Sequence, residues 1–123
     1  MGAENVENNA GKLPDLELDY SKLYDDKGMG VIPAVILEDG TNRPLMVGFM
    51  NRQAFEKSMA TGLATFWTRT RQALWTKGET SGNSLIIQRW LPDCDNDIIV
   101  AWVKPLGPVC HRETETCFDQ VED

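Results

Sequence analysis

Hydrophobic residues occur in short runs separated by turn-forming residues, a pattern typical of strands joined by tight connections. A run at 31–39 predicts a strand that ends in the turn sequence DGTN, and a second run at 44–50 completes a predicted hairpin. Two later runs, at 84–91 and 97–104, are rich in β-branched and aromatic residues and also predict strands.

Residues 51–62 have the pattern of one short helix. Asn51 is a good N-cap, and Gly62 supplies a stop at the other end. Phe55 and Met59 lie four residues apart, so they share one face and are expected in the core.

Residues 64–71 alternate as a strand does, with successive side chains pointing to opposite faces. One face is expected to carry Trp67, Arg69 and Arg71. About five strands with a single helix predict a mainly β or α+β domain.

Composition places the chain among soluble globular proteins. Its 123 residues suffice for one core, 41% are hydrophobic and 25% are charged. We expect a polar, disordered tail at 1–18 and a single domain at 19–123. The tail lacks the features of a secretory signal, and no apolar run reaches the roughly 20 residues of a membrane span.

Charge and cysteine content narrow the function further. A net charge of −7 argues against nucleic acid as a partner, because binding its backbone needs a dense basic surface. Three cysteines are an odd number, which favours reduced thiols in the cytoplasm over a disulfide framework.

The stretch PDCDND, at 92–97, combines a thiol with three carboxylates. If it is extended, Cys94 points one way, and Asp93, Asp95 and Asp97 point the other. Soft and hard ligands would then serve zinc on one face and magnesium on the opposite face. The alternative is a solvated acidic turn, since Asp and Asn are common turn formers.

The stretch PVCHRETETCF, at 108–118, holds the other two cysteines. Cys110 and Cys117 could converge with Cys94 on one zinc ion, and three protein ligands leave the fourth position open, as in catalytic zinc sites. His111, the only histidine, is better suited to act as a general acid or base than as a neighbouring ligand. Inert buried cysteines and a surface histidine remain the alternatives.

Residues 69–83 form a basic, glycine-containing stretch. Gly78 and Gly82 would let backbone N–H groups approach an anion, and Arg69, Arg71 and Lys77 concentrate positive charge. A small anionic ligand such as a nucleotide or sugar phosphate fits this pattern, with Trp67 or Trp75 available for stacking. A flexible, solvated surface loop is the alternative.

Together, the sequences LMVGFMN, FWTRTRQALWTKGETSGN, DCDND and GPVCHRETETCF closely resemble the phosphoribosyl-AMP cyclohydrolases of histidine biosynthesis. The resemblance extends from about Tyr20 to Phe118. It implies a compact pseudobarrel-like folded sheet with one or two helices, in an obligate homodimer. We expect the monofunctional form, because the chain stops shortly after Cys117.

The resemblance implies an enzyme that opens the adenine ring of 1-(5-phosphoribosyl)-AMP. Water activated by zinc adds at C6 and the N1–C6 bond breaks, which yields the formimino-aminoimidazole carboxamide ribonucleotide in the third step of histidine biosynthesis. Cys94, Cys110 and Cys117 would bind zinc in a site shared between subunits, Asp93, Asp95 and Asp97 would bind magnesium, and His111 would carry a proton.

The basic stretch would then bind the substrate. With magnesium, its positive side chains would neutralise the two phosphates, and its hydroxyl and amide groups could hydrogen-bond phosphate or ribose. The predicted substrate-binding residues are Arg69, Arg71, Trp75, Lys77, Glu79, Thr80, Ser81 and Asn83.

Two other functions fit less well. A zinc nucleobase deaminase carries H-x-E followed by P-C-x-x-C, and neither motif is present. A non-enzymatic metal-binding module requires a closed four-ligand site, whereas each chain has three cysteines.

Overall fold

A computed structural model describes residues 17–110 and 113–118 of the chain. The predicted tail at 1–18 and His111 therefore lie wholly or largely outside the described residues. Within the described ranges the chain forms six strands and one helix: β1 (Ile32–Glu38), β2 (Pro44–Met50), α1 (Arg52–Thr61), β3 (Thr65–Thr68), β4 (Ala73–Thr76), β5 (Leu85–Pro92) and β6 (Ile99–Pro105).

The predicted hairpin and helix are confirmed. β1 and β2 pair antiparallel across a turn in which Gly40 and Asn42 have positive φ angles. The side chain of Asn51 accepts the N–H of Ala54 at 2.8 Å and caps α1, which ends at Gly62 with φ 78°. As predicted, Phe55 is buried in the core, and Met59, partly buried, packs against it.

The strands form two open sheets. The larger has the order β2-β1-β6-β5, with β1 and β6 parallel and the other pairs antiparallel, and the smaller is the β3–β4 hairpin. The N–H of Ala64 donates to the carbonyl of Leu85, and β3 packs beside β2. The small sheet therefore lies between the two edge strands of the large one.

One prediction at 64–83 is wrong, and one strand in this range was not predicted. β3 ends at Thr68 and a turn follows, so Arg69 and Arg71 do not alternate with Trp67 along a strand. The prediction also missed β4, which pairs with all four residues of β3. This turn could not be recognised from the sequence, because Gln72, at its end, adopts a positive φ of 53° although it is neither glycine nor asparagine.

The core lies between the large sheet, the β3–β4 hairpin and α1. It consists mainly of alternate residues of β1, β5 and β6, with the ring of Phe55 meeting Trp90 edge-on at 5.1 Å. The predicted mainly β, α+β class is confirmed. In the described part of the chain, no helix is long and apolar enough to cross a membrane.

Candidate active site

The stretch PDCDND forms a tight turn between β5 and β6, so the turn given as the alternative is confirmed and the extended conformation is wrong. The N–H of Asp93 donates to the carbonyl of Ile98 at 2.9 Å, and the N–H of Asn96 donates to the carbonyl of Asp93 at 3.1 Å. Asn96 has a φ of 61°, which asparagine tolerates better than most residues. The alternation that separated Cys94 from the aspartates therefore does not exist.

The three aspartates of this turn have different surroundings. Asp93 closes the turn, because its Oδ1 accepts the N–H groups of Asp97 at 3.0 Å and Ile98 at 3.3 Å. Burial would raise the pKa of Asp93, but these hydrogen bonds outweigh it and lower the pKa. Asp95 and Asp97 both face the ammonium group of Lys22, at 3.8 and 3.5 Å. A cation is thus already attracted to this pair of carboxylates.

Cys94 is exposed at the tip of the same turn. The thiol of Cys94 donates a hydrogen bond to Oδ1 of Asp95, which lies 3.6 Å from the sulfur. The negative charge of Asp95 and this hydrogen bond raise the pKa of the Cys94 thiol. Zinc takes cysteine as the thiolate, so binding at this thiol must release a proton.

Cys110 and Cys117 lie on a C-terminal segment that folds back on itself and is attached to β2. The N–H of Cys110 donates to the carbonyl of Thr114 at 3.1 Å. The N–H of Cys117 donates to the carbonyl of Leu45 at 2.9 Å, and the hydroxyl of Thr116 donates to that of Pro44 at 2.6 Å. These bonds fix the segment at the beginning of β2.

The three cysteines are not gathered within one chain. Among residues 17–110 and 113–118, no three histidine, cysteine or acidic side chains are grouped to hold a metal. Cys94 follows β5, at one edge of the large sheet, whereas Cys117 is attached to β2, at the other edge. Three strand spacings, roughly 14 Å measured across the strands, separate these edges. Zinc–sulfur bonds measure about 2.3 Å, so one ion cannot reach both edges.

The strand register adds a second separation. Ile99, the first residue of β6 after the turn, is level through β1 with Gly48 of β2. Leu45, which holds Cys117, comes three residues earlier on β2. Cys94 and Cys117 therefore occupy opposite corners of the sheet.

A cleft of about 460 Å³ lies between β2 and the β3–β4 hairpin. The guanidinium of Arg69 stacks on the ring of Phe49 at 4.1 Å, and the ammonium of Lys77 lies 5.7 Å from the Trp75 ring. The cleft is lined by Asp26, Met46, Val47, Gly48, Phe49, Phe66, Trp67, Thr68, Arg69, Thr70 and Trp75. Its volume and its mixture of aromatic and cationic groups suit a small anionic ligand.

The cleft contains two of the eight predicted substrate residues, Arg69 and Trp75, while Arg71 is exposed and does not line it. The cleft begins at Met46, the residue after Leu45, and so runs beside the attachment of Cys117. The candidate ligand site and the attachment of Cys117 are therefore neighbours along β2.

The other predicted substrate residues lie on the loop that follows β4. Glu79 closes this loop, because its carboxylate accepts the N–H of Thr76 at 3.0 Å. Ser81 accepts the N–H of Asn83 at 3.1 Å, and Thr80 is exposed. Gly78, with φ 86°, permits the loop to approach its own end, since a Cβ there would lie 2.4 Å from the Ser84 nitrogen.

The loop also contacts the segment that leads to Cys110. The N–H of Leu106 donates to the carbonyl of Ser84 at 2.9 Å. A Cβ at Gly107 would lie 2.2 Å from the Asn83 Oδ1, so any larger residue would displace this side chain. The loop that follows β4 and the segment that leads to Cys110 are thus packed together.

Sequence reasoning missed Asp25 and Phe49. Asp25 is buried, and its carboxylate accepts hydrogen bonds from Trp67 and Gln72. Burial alone would raise the pKa of Asp25, but these bonds and two from the backbone hold the pKa well below its usual range. The sequence DDKG offered a local signal, because aspartate before glycine is typical of a turn.

Comparison with known families gives a match to one family model. The model described as phosphoribosyl-AMP cyclohydrolase matches residues 46–119. This range contains all the predicted metal-binding and substrate-binding residues and most of the cleft.

Individual relatives agree with that match. A phosphoribosyl-AMP cyclohydrolase of Bacillus cereus is 49% identical over 89 residues, which cover 72% of this chain and 88% of the relative. The histidine biosynthesis bifunctional proteins HisIE of Bacteroides thetaiotaomicron and Escherichia coli are 46% and 43% identical, over 85% and 83% of this chain. The chain spans about half the length of these bifunctional relatives, 49% and 48%.

Proposed function

The chain belongs to the phosphoribosyl-AMP cyclohydrolase family, and we propose from this that it opens the adenine ring of 1-(5-phosphoribosyl)-AMP by hydrolysis. Water adds at C6, the N1–C6 bond breaks, and the product is the formimino-aminoimidazole carboxamide ribonucleotide of the third step of histidine biosynthesis. The family match across residues 46–119, which contains most of the cleft and all three cysteines, carries this proposal.

We propose that Cys94 of one subunit and Cys110 and Cys117 of a second subunit would hold zinc. The donor set fits, because three thiolates leave the fourth position of a tetrahedral ion open. The sheet register supports division between subunits, since one chain keeps Cys94 away from the segment attached to β2. Bound zinc would lower the pKa of a nearby water towards neutrality and so make it a usable nucleophile.

Asp93, Asp95 and Asp97 would hold magnesium. Carboxylate oxygens are the ligands that this ion prefers, and the ammonium of Lys22 at Asp95 and Asp97 supports a cation position there. Lys22 would have to leave these carboxylates when the metal binds. A magnesium ion at this turn would help to neutralise the phosphates of the substrate.

The cleft along β2 would receive part of the nucleotide. Arg69 and Trp75 line this cleft. Arg69 would bind a phosphate through two N–H groups, and Trp75 would offer a ring for stacking. Lys77, beside Trp75, adds a positive charge at the same edge. Arg71, together with Glu79, Thr80, Ser81 and Asn83 of the loop, would act at the rim of the site.

His111 would take a proton from the attacking water or return one to the opened ring. Replacing it with alanine should lower turnover while bound zinc stays unchanged. Loss of zinc in that variant would instead make His111 a ligand.

We also propose a cytoplasmic homodimer. Reduced cysteines that serve as metal ligands suit a reducing compartment. A dimer is required if one site takes its cysteines from two chains.

Ultraviolet absorbance during incubation with phosphoribosyl-AMP tests the reaction. The spectrum should change as the purine ring opens, and chelating the metals should stop the change. Arg69→Ala should lower kcat/KM at least tenfold, because it removes a charge that lines the cleft, whereas Arg71→Ala should have a smaller effect. No turnover by the unmodified protein with zinc and magnesium present would overturn the proposal.

A further inference from the structure

Asp25 is the centre of a hydrogen-bond network outside the predicted site. Its Oδ2 accepts the indole N–H of Trp67 at 2.9 Å and the amide of Gln72 at 2.7 Å. Its Oδ1 accepts the N–H groups of Lys27 and Met29, both at 2.9 Å. One buried carboxylate thus joins the loop before β1 to the β3–β4 hairpin.

The loop that carries Asp25 is itself held in place. The N–H of Asp25 donates to the carbonyl of Met29 at 2.9 Å, and Tyr24 and Gly30 form an antiparallel bridge. A fixed loop gives the carboxylate a fixed position, so the groups that it binds are held as well.

Gln72 links this carboxylate to the cleft. Its side-chain amide donates to Asp25 and also to the backbone carbonyl of Arg69, at 2.8 Å. The φ of 53° is uncommon for glutamine and needs support from its surroundings. The two hydrogen bonds of the Gln72 side chain supply this support and set the shape of the turn that carries Arg69.

We propose that Asp25 and Gln72 are positioning residues that hold Arg69 over Phe49, in the orientation that binds a phosphate of the substrate. The guanidinium stacks at 4.1 Å on Phe49, a residue of β2, so its direction depends on the turn and on this ring together. The identity of the substrate rests on the proposed function, whereas the effect on Arg69 rests on the hydrogen bonds alone.

A double-mutant cycle tests this role. Gln72→Met keeps the length of the side chain and removes both hydrogen bonds. With Arg69 present, it should raise KM for phosphoribosyl-AMP about tenfold and change kcat less than twofold. In the Arg69→Ala background the same change should have no further effect on KM. Gln53→Met, on the exposed face of α1, is the matched control and should behave as the unmodified protein.

Asp25→Asn provides a second variant. The carboxamide would direct N–H groups at the donors of Trp67 or the backbone, so the network breaks without a change in size. Asp25→Asn should raise KM as Gln72→Met does. The variant that carries both Asp25→Asn and Gln72→Met should have a KM no higher than either single variant.

Binding of AMP separates this inference from the reaction. Trp67 and Trp75 line the cleft, so quenching of tryptophan fluorescence should report AMP entering it. Gln72→Met should weaken AMP binding about tenfold with Arg69 present and leave it unchanged with Arg69→Ala. If AMP binding follows this pattern but phosphoribosyl-AMP is not turned over, the positioning role stands and the proposed reaction fails.

Three results would overturn the positioning role. One is an equal effect of Gln72→Met in both backgrounds. Another is a lower melting temperature with unchanged KM and AMP affinity, which marks a purely structural network. The third is an unmodified protein that does not bind AMP in the cleft.

Discussion

At the scale of single residues, a buried carboxylate surrounded by four donors stabilises the fold only while it is ionised. Asp25 meets this condition, because its hydrogen bonds come from two side chains and two backbone groups. Its folded-state pKa is lowered from the ordinary 3.8. The stabilisation is therefore fully present above about pH 4 and is lost as the pH falls towards the folded-state pKa.

Asp25→Asn should lower the melting temperature by roughly 5 °C at pH 7, because donors then face an amide. The difference from the unmodified protein should shrink at pH 3, where the unfolded state of the unmodified protein takes up a proton. Thermal unfolding followed by circular dichroism at the two pH values measures this. Asp26→Asn, at an exposed neighbour, is the control. A difference of the same size at both pH values would contradict the role of the charge.

Asp25 also shows what a sequence pattern cannot reveal. Its partners Trp67 and Gln72 follow it by 42 and 47 residues, so no local spacing marks the network. The candidate metal ligands and substrate residues, by contrast, lie in three short stretches of sequence, at 69–83, 92–97 and 108–118, and each stretch can be recognised by itself.

At the scale of elements, the C-terminal segment depends on Thr116. This buried hydroxyl donates to the carbonyl of Pro44 at 2.6 Å and accepts the N–H of Phe118 at 3.1 Å. The next residue, Cys117, is attached to Leu45 by its backbone. Thr116 therefore holds a candidate zinc ligand against β2.

Thr116→Val should weaken zinc binding about tenfold, because the side chain keeps its shape but loses both hydrogen bonds. Thr116→Ser keeps the hydroxyl and should bind zinc nearly as tightly as the unmodified protein. Competition with a chromophoric chelator gives the two affinities. Equal affinities for the valine and serine variants would show that the hydroxyl does not position Cys117.

The helix, which has local signals at both ends, could be predicted more exactly than the strands and turns around it. The cap at Asn51 and the stop at Gly62 placed α1 to within a residue at each end. The strand predicted at 64–71 extended too far, because Gln72 makes a left-handed turn without a glycine or asparagine signal. The turn at 93–97 carried both aspartate and asparagine, and the extended interpretation gave these turn formers too little weight.

At the scale of the whole molecule, the position of the cysteines depends on a pairing distant in sequence. β1 and β6 lie parallel, with Ala34 level with Ile99, and this register sends Cys94 to one corner of the sheet and Cys117 to another. No local pattern predicts such a register. The sequence could therefore identify the candidate ligands without showing where they lie in the fold.

The surface near Cys94 suits contact with a second chain. Leu91 and Ile98 flank the turn and are 44% and 37% exposed, although both are large and apolar. Covering them in a homodimer would remove this apolar surface from water and could bring Cys94 to the C-terminal segment of the partner.

Activity of mixed chains tests most directly whether one site takes its cysteines from two subunits. Chains carrying Cys94→Ala and chains carrying Cys110→Ala should each be inactive as homodimers. Heterodimers isolated through two different affinity tags contain one intact site, with Cys94 from one chain and Cys110 and Cys117 from the other. They should open the ring of phosphoribosyl-AMP at about half the rate of the unmodified dimer. Inactive heterodimers of confirmed composition would contradict a shared site.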